Sequence, residues 1–389
     1  MRIETPREQS EYLIDGRVRR WAGPMRTVES PVCLDTPNGP VRKVLGRSPL
    51  LDPETALEAL EAARRAWNHG RGPWPALPWK ERLRRVAGLS ECLKENRAEI
   101  VRLLMWEVAK PLAQAEDEFD RTIDYIDDTI QAAGELAGSW SGPARRDGLT
   151  ASIRRAPIGT ALLMGPYNYP LNETMALLLP ALIMGNTAVV KPPKMGLLLL
   201  HPLLAACRDL FPPGTVNFVY GRGSTLVGPL MRTGRIDVLG FIGSMPVAQI
   251  VKAGHPRPHR LHAVLGLQAK NAAIVLDDAD LDLTVRECVR GSLGFNGQRC
   301  TALKILFVHR RIADAFMARF VPAVQALRCG PPWMPGVDIT PLPLPGKPEY
   351  LDGLVREAVS KGAELANPGG GRIIQTSFSP AVLYPVGPG

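Results

Sequence analysis

Cysteine pairs are missing from this sequence: the six cysteines, Cys33, Cys92, Cys207, Cys288, Cys300 and Cys329, lie far apart with no C-x-x-C spacing. That excludes a small disulfide scaffold and a cysteine-based zinc site, and it points to reduced thiols in a cytoplasmic setting. Histidine is also sparse, with six in all. The nearest group, His255, His259 and His262, sits in or just after a Pro- and Arg-containing loop and reads as a solvated turn, so no metal is expected. Aromatic residues are only 6% and form no stripe with the basic residues, which argues against nucleic acid as a partner. The charged N-terminal octapeptide has no apolar core and does not read as a signal peptide. The most apolar stretch, Gly159 to Val190, is interrupted by Asn168, Asn172 and Glu173 and by Pro166, Pro170 and Pro180, so no membrane span is expected. The dinucleotide fingerprint G-x-G-x-x-G is absent.

What is present is a 389-residue chain, 45% hydrophobic and 22% charged, long enough for two domains with cores of their own. Gly and Pro number 37 each, scattered without a period, which means many turns. The net charge of +9 would suit phosphorylated ligands. Even so, Arg64, Arg65, Arg82, Arg84 and Arg85 fall among helix-spaced apolar residues and read as solvated helix faces. After an irregular N-terminal arm, helices are expected over Ala56 to Trp67, Trp79 to Leu93, Glu99 to Glu107 and Leu112 to Ala137. Gly138 to Arg155 suits a protruding two-stranded arm.

From Pro157 short apolar runs alternate with helical segments, the rhythm of βαβ units on a parallel sheet. Strands are expected at Gly159–Met164, Thr187–Val190, Thr215–Tyr220 and Val238–Ile242. Helices fit at Asn172–Met184, Leu197–Leu210, Ser224–Arg232 and Met245–Ala253. A boundary is expected at the loop Gly254–Arg260. Beyond it a second α/β block holds strands Ala272–Leu276 and Lys304–Val308, helices Leu281–Leu293 and Ile312–Arg328, and a last strand from Phe378. The expected domains are therefore 1–137 with 156–260, an arm over 138–155, and 261–389.

A doubly wound sheet binds nucleotides at the carboxyl edge of its strands. Gly221-Arg-Gly-Ser-Thr-Leu-Val-Gly228 places glycines between strand and helix, at unhelpful spacing. Phe241-Ile-Gly-Ser244 ends a strand and opens a helix, where free N–H groups suit a pyrophosphate or make an ordinary turn. Lys191 and Lys194 follow a strand. An acidic residue there would take ribose hydroxyls and a basic one a ribose phosphate, or both are plain surface lysines. Cys300 lies in a Gly-containing turn with Arg299 beside it, an arrangement that would stabilise a nucleophilic thiolate, although a stray cysteine is more often a small core residue.

Gly165-Pro-Tyr-Asn-Tyr-Pro170, Lys191-Pro-Pro193, Phe241-Ile-Gly-Ser244, Lys270-Asn-Ala-Ala-Ile-Val275 and Gly297-Gln-Arg-Cys300 occur in this order. With them the chain resembles the aldehyde dehydrogenase superfamily over nearly its whole length, and within it the NADP-dependent non-phosphorylating glyceraldehyde-3-phosphate dehydrogenases. The resemblance implies an α/β fold with a Rossmann-type cofactor domain and a second α/β catalytic domain. It implies Cys300 as nucleophile, with Asn168 and the Cys300 backbone N–H holding the oxyanion. Lys191, Pro193, Lys194, Gly223, Gly243 and Ser244 would bind the cofactor. Lys194, where many NAD-using members carry Glu, favours NADP, with NAD still open. Arg121, Tyr169, Arg299 and Thr301 would bind a phosphorylated aldehyde. The alternative for Arg121 is an i,i+4 pair with Asp117 on an exposed helix.

The sequence departs from the family at the general base, a Glu in Leu-Glu-Leu-Gly-Gly-Lys. Counted back from Lys270 that position is Gly266, or Gln268 if the alignment shifts by two, and neither is a carboxylate. A base lost this way typically lowers the rate by roughly a hundred- to ten-thousandfold. Met245-Pro246-Val247-Ala248 replaces the usual Thr and Gly. Pro380 to Val386 resembles the segment before the family's Glu-x-Phe-Gly-Pro motif, which has no counterpart here. A C-terminally truncated, base-deficient relative is therefore expected, with the family's homo-oligomer in doubt because its last strand is missing. Another aldehyde or semialdehyde dehydrogenase, or a non-catalytic nucleotide-binding relic, stands as the alternative.

Overall fold

The computed structural model describes residues 6–138, 144–151 and 155–387. Short strands come first: β1 (Arg7–Glu8), β2 (Glu11–Ile14) and β3 (Arg17–Arg20). A long hairpin follows, β4 (Met25–Thr36) and β5 (Gly39–Pro49). Four helices come next, α1 (Pro53–Trp67), α2 (Trp79–Glu95), α3 (Arg97–Val108) and α4 (Leu112–Gly138), and then the small hairpin β6 (Ala144–Arg146) and β7 (Leu149–Ala151). The alternating part is β8 (Thr160–Met164), α5 (Asn172–Ile183), β9 (Thr187–Val190), α6 (Pro202–Leu210), β10 (Val216–Phe218), α7 (Gly223–Arg232), β11 (Val238–Gly243), α8 (Met245–Ala253) and β12 (His262–Leu267). The remainder is β13 (Asn271–Val275), α9 (Leu281–Leu293), β14 (Leu303–Val308), α10 (Ala313–Gln325), α11 (Lys347–Ser360), β15 (Ile373–Ile374) and β16 (Ser377–Phe378).

Local chemistry accounts for the main elements. The Asp52 side chain accepts the Thr55 N–H at 2.8 Å and Pro53 opens the helix, so α1 is capped by a bond worth about 1 kcal/mol. Ala56, Ala59, Leu60 and Ala63 then form its buried stripe. Asp280 caps α9 in the same way through the Leu283 N–H. Every residue of β8 and β9 is buried, as expected for central strands covered by helices on both faces.

Seven strands form the main sheet, in the order β12-β11-β8-β9-β10-β2-β3. The strands from β12 to β10 run parallel, and β2 and β3 add antiparallel at one edge. β8 is therefore flanked by β9 on one side and β11 on the other, so the crevice at its carboxyl end is the topological switch point. β13 and β14 form a separate parallel pair, over which Val275, Val285, Cys288, Phe316, Phe320 and Val324 make a small second core.

Four expectations are corrected. The N-terminal arm is not irregular: β2 and β3 join the main sheet, and the β4–β5 hairpin pairs with β1. The change of sheet falls after Leu267 and not at the loop Gly254–Arg260, because β12 pairs with β11 from Val238↔His262 to Gly243↔Leu267. Past β16 the last segment forms no further strand: it makes a bridge between Leu365 and Leu383, the Ala366 and Tyr384 N–H groups donate to the Val382 and Glu364 carbonyls, and the Asn367 amide bonds to the Pro380 carbonyl and the Val382 N–H. His255 is buried, with Nε2 3.1 Å from the Ile236 carbonyl oxygen, and is not part of a solvated turn. Of the arm expected over 138–155, the β6–β7 hairpin is seen, while residues 139–143 and 152–154 lie outside the described residues. No helix among the described residues is long and apolar enough to cross a membrane.

Candidate active site

The loop between β8 and α5 crosses the switch point. Gly165 lets it turn there, since a Cβ would lie 2.2 Å from Thr174 Oγ1. The Asn168 side-chain amide donates to the Gln298 carbonyl at 2.6 Å, and the Tyr167 hydroxyl donates to Gln298 Oε1 at 3.2 Å. Burial pushes the Tyr167 phenol up to about 12, so it remains a donor. Behind the loop the Lys110 ammonium donates to the Asn168 carbonyl at 2.7 Å and bonds to Glu118, both side chains fully buried. Glu118 also accepts the N–H groups of Leu171 and Asn172 at 3.0 and 3.2 Å.

The Cys300 loop begins where α9 ends. Phe295, Asn296 and Gly297 adopt left-handed backbone angles in succession, with φ of 51°, 55° and 68°. Two contacts hold these strained residues. The Phe295 ring is buried edge-on to Tyr169 at 6.3 Å, and Asn296 exchanges two hydrogen bonds with the Thr340 backbone at 2.8 and 2.9 Å. Cys300 follows and is exposed, its carbonyl accepting from Asn271 Nδ2 at 2.6 Å. Asn168 and the Cys300 loop are thus joined, as the resemblance implies for an oxyanion amide and a nucleophile.

The expected phosphate-binding residues are more scattered. Arg299 turns away to cap the end of α9, donating to the carbonyls of Arg290 at 2.7 Å and Gly291 at 3.1 Å. Tyr169 packs its ring against Phe295 and the Lys110 ammonium, the latter 3.6 Å from its ring centre. Arg121 is exposed on α4 and forms no ion pair with Asp117 among the described residues, while its charge still acts on Tyr169 and Glu173. Thr301 is exposed beside Cys300. Half-buried Glu173, at the start of α5, is held above the usual carboxylate range by burial.

On the other side of β8, Lys191 is buried and donates, among the described residues, to the Pro192 carbonyl at 2.9 Å. Burial, reinforced by the Arg26 charge, pushes it down to about 8. Arg26, from β4, donates to the Lys194 carbonyl at 2.7 Å and is lowered by burial. Pro193 is buried and Lys194 exposed. Glu107 on α3 holds the rest of this loop, accepting N–H groups from Gly196, Leu197 and Leu198, and its own burial pushes it up to about 7. Gly223 opens α7 with empty space where a Cβ would stand. Gly243 ends β11, and the Ser244 hydroxyl makes no capping bond, leaving the first N–H groups of α8 available. At the general-base position Gly266 lies in β12, where a Cβ would stand 3.0 Å from Ile242 Cγ1. Gln268 is exposed just past the strand.

Lys110, Glu118, Glu107 and Arg26 were not foreseen from sequence. The only signal was charge inside an apolar run: Glu107 and Lys110 interrupt a largely apolar stretch from Ile100 to Leu112, and both are buried.

A model of the aldehyde dehydrogenase family matches residues 33–388. The NADP-dependent glyceraldehyde-3-phosphate dehydrogenase of Streptococcus equinus is 34% identical over 329 residues, 82% of this chain and 67% of that one. The malonate-semialdehyde dehydrogenase of Bacillus cytotoxicus is 30% identical over 85% of this chain and 66% of its own. Among solved structures, the NADP complex of the glyceraldehyde-3-phosphate dehydrogenase of Bacillus halodurans C-125 superposes with a TM-score of 0.86 at 30% identity, covering 98% of this chain and 78% of that one. The chain belongs to the aldehyde dehydrogenase family, whose members are oxidoreductases acting on aldehydes.

Proposed function

We propose that this chain oxidises a small aldehyde with NADP through a thioester on Cys300. The observation that carries the reading is the junction of the Asn168 amide with the loop that presents an exposed Cys300. The Cys300 thiolate attacks the aldehyde carbon, and the carbonyl oxygen becomes an oxyanion. Asn168 has two amide hydrogens. One goes to Gln298, and the second, with the Cys300 N–H, is free for the oxyanion.

Bound NADP supplies the hydride acceptor, so that collapse of the oxyanion leaves a thioester on the sulfur. Two features fit the nucleotide: Lys191 and Arg26 are cations without a carboxylate partner among the described residues, and Gly223 faces open space. Lys191 and Arg26 would hold the adenosine ribose and its phosphate, and the first turn of α8 the pyrophosphate. Water must then cleave the thioester, and Gln268 can orient it but cannot take its proton. Hydrolysis is the slow step.

Glyceraldehyde 3-phosphate is the substrate the first relatives support, with Arg121 and Thr301 as its contacts. A second reading, a nucleotide-binding protein without turnover, is favoured by Gly266 and Gln268. Rapid mixing with NADP and glyceraldehyde 3-phosphate separates them. A burst of NADPH near one equivalent per chain followed by a stall is expected, and Cys300→Ser removes it. Nucleotide binding with no NADPH at all would establish the second reading.

A further inference from the structure

Lys110 touches both loops of the site. Its ammonium donates to the Asn168 carbonyl at 2.7 Å, faces the Tyr169 ring at 3.6 Å and faces the Phe295 ring at 4.6 Å. Asn168 and Tyr169 belong to the loop that offers the amide, and Phe295 to the loop that ends in Cys300. We propose that Lys110, held by Glu118, is a positioning residue that locks the Asn168 loop and the Cys300 loop into one arrangement, so that amide and thiol address the same carbon.

An ion pair with no solvent exposure is not explained by stability, because replacing such a pair with apolar groups of similar volume is often neutral or stabilising. What an apolar replacement lacks is reach. One ammonium here donates to a carboxylate and a loop carbonyl while its charge lies over two aromatic rings. Glu118 extends the grip, since its carboxylate also takes the Leu171 and Asn172 N–H groups at the start of α5. On the other side the Phe295 backbone is left-handed, so no helix or strand ladder fixes its ring, and packing against Tyr169 and the ammonium does so instead. The Asn168 amide then closes the circuit onto Gln298, two residues before Cys300.

The proposal rests on Cys300 and Asn168 being the reacting pair, and the test separates the two. Lys110→Met leaves a buried carboxylate alone, so the informative variant is Lys110→Met/Glu118→Gln, with Lys110→Arg as the conservative change. Amide hydrogen exchange over residues 167–172 and 294–300 reads the clamp without any need for activity. Single-turnover NADPH formation reads its consequence. The double variant should fold and bind NADP as the wild type does, with both loops exchanging faster and the interior of α5 unchanged. Its hydride-transfer rate should fall roughly ten- to a hundredfold, the scale of a small misplacement of reacting groups, with Lys110→Arg recovering part of it. Unchanged exchange in both loops overturns the proposal, and so does faster exchange with an unaltered hydride-transfer rate. Wild-type protein that binds NADP yet forms no NADPH overturns the reacting pair instead, and the exchange data then still judge the clamp.

Discussion

The Leu198 N–H donates into the Glu107 carboxylate at 2.9 Å, from a loop that carries Lys191 and Lys194 a few residues earlier. Gly196 and Leu197 donate to the other oxygen at 3.1 and 3.0 Å. One interior carboxyl thus suspends the loop beside the proposed nucleotide site.

Burial raises the Glu107 value from 4.5 to about 7, so the folded chain binds this proton more readily than the unfolded chain. The stability contributed is complete below the ordinary carboxylate range and is lost as pH rises through about 7, by up to roughly 1.4 kcal/mol per pH unit in between. Urea unfolding at about pH 6 and about pH 8 should show this slope. In Glu107→Gln the slope should flatten, and an unchanged slope would assign it elsewhere.

Lys191 works in the opposite sense. Its folded value is lowered from 10.5 to about 8, so above that pH it is largely neutral in the free protein. An anionic nucleotide favours the charged form, and binding above about 8 must take up a proton. Affinity for 2′,5′-ADP should therefore fall as pH rises past about 8, by at most about tenfold per unit, and Lys191→Met should abolish the dependence. Calorimetry in buffers of different ionisation enthalpy reads the proton directly.

Arg26 is a long-range addition from the N-terminal hairpin. Removing its charge in Arg26→Gln should weaken NADP more than NAD, by roughly ten- to a hundredfold, because an ion pair to phosphate is worth about 1.5–3 kcal/mol and only NADP carries the ribose 2′-phosphate. Equal loss for both nucleotides would place Arg26 on a structural duty only.

A carboxylate restored at the general-base position should convert a burst into turnover. Gln268→Glu changes an exposed residue. Gly266→Glu must first move Ile242, whose Cγ1 would stand 3.0 Å from the new Cβ. If either side chain reaches the thioester water, steady-state rate should rise by about a hundredfold or more while the burst stays as it was.

Asn296→Ala should destabilise the chain by about 1–3 kcal/mol, since it strips two bonds from the buried Thr340 backbone and leaves a left-handed position without its side-chain support. Chemical denaturation measures this, and Asn296→Gly isolates the backbone part.

Much of the alternating part was legible because its signals are local: the short run Thr187–Val190 and the spacing of Leu281–Leu293 both match the structure. The N-terminal strands were missed although Asp15-Gly16 joins β2 to β3 with φ of 53° and 69°, a two-residue hairpin turn. Those strands are short and charged at the sheet edge, so alternation is weak. Cys300 and Asn168 were singled out because each lies in a motif. Lys110 and Glu118 were not, because a buried ion pair is defined by what packs around it, and residues 110, 168 and 295 meet only after the sheet has folded.

The second core, under Cys300, is small, and its β13–β14 pair leaves Ile274 75% and Phe307 55% exposed. The Cys300 loop is held from two sides, by Asn271, Arg290 and Thr340 from its own part of the chain and by Lys110, Tyr167, Asn168 and Tyr169 from the part that folds around the large sheet. The proposed nucleophile is thus seated partly on a framework built elsewhere. A fragment containing residues 271–387 alone would keep the cysteine and lose the Asn168 amide and the packing of Lys110 and Tyr169 on Phe295.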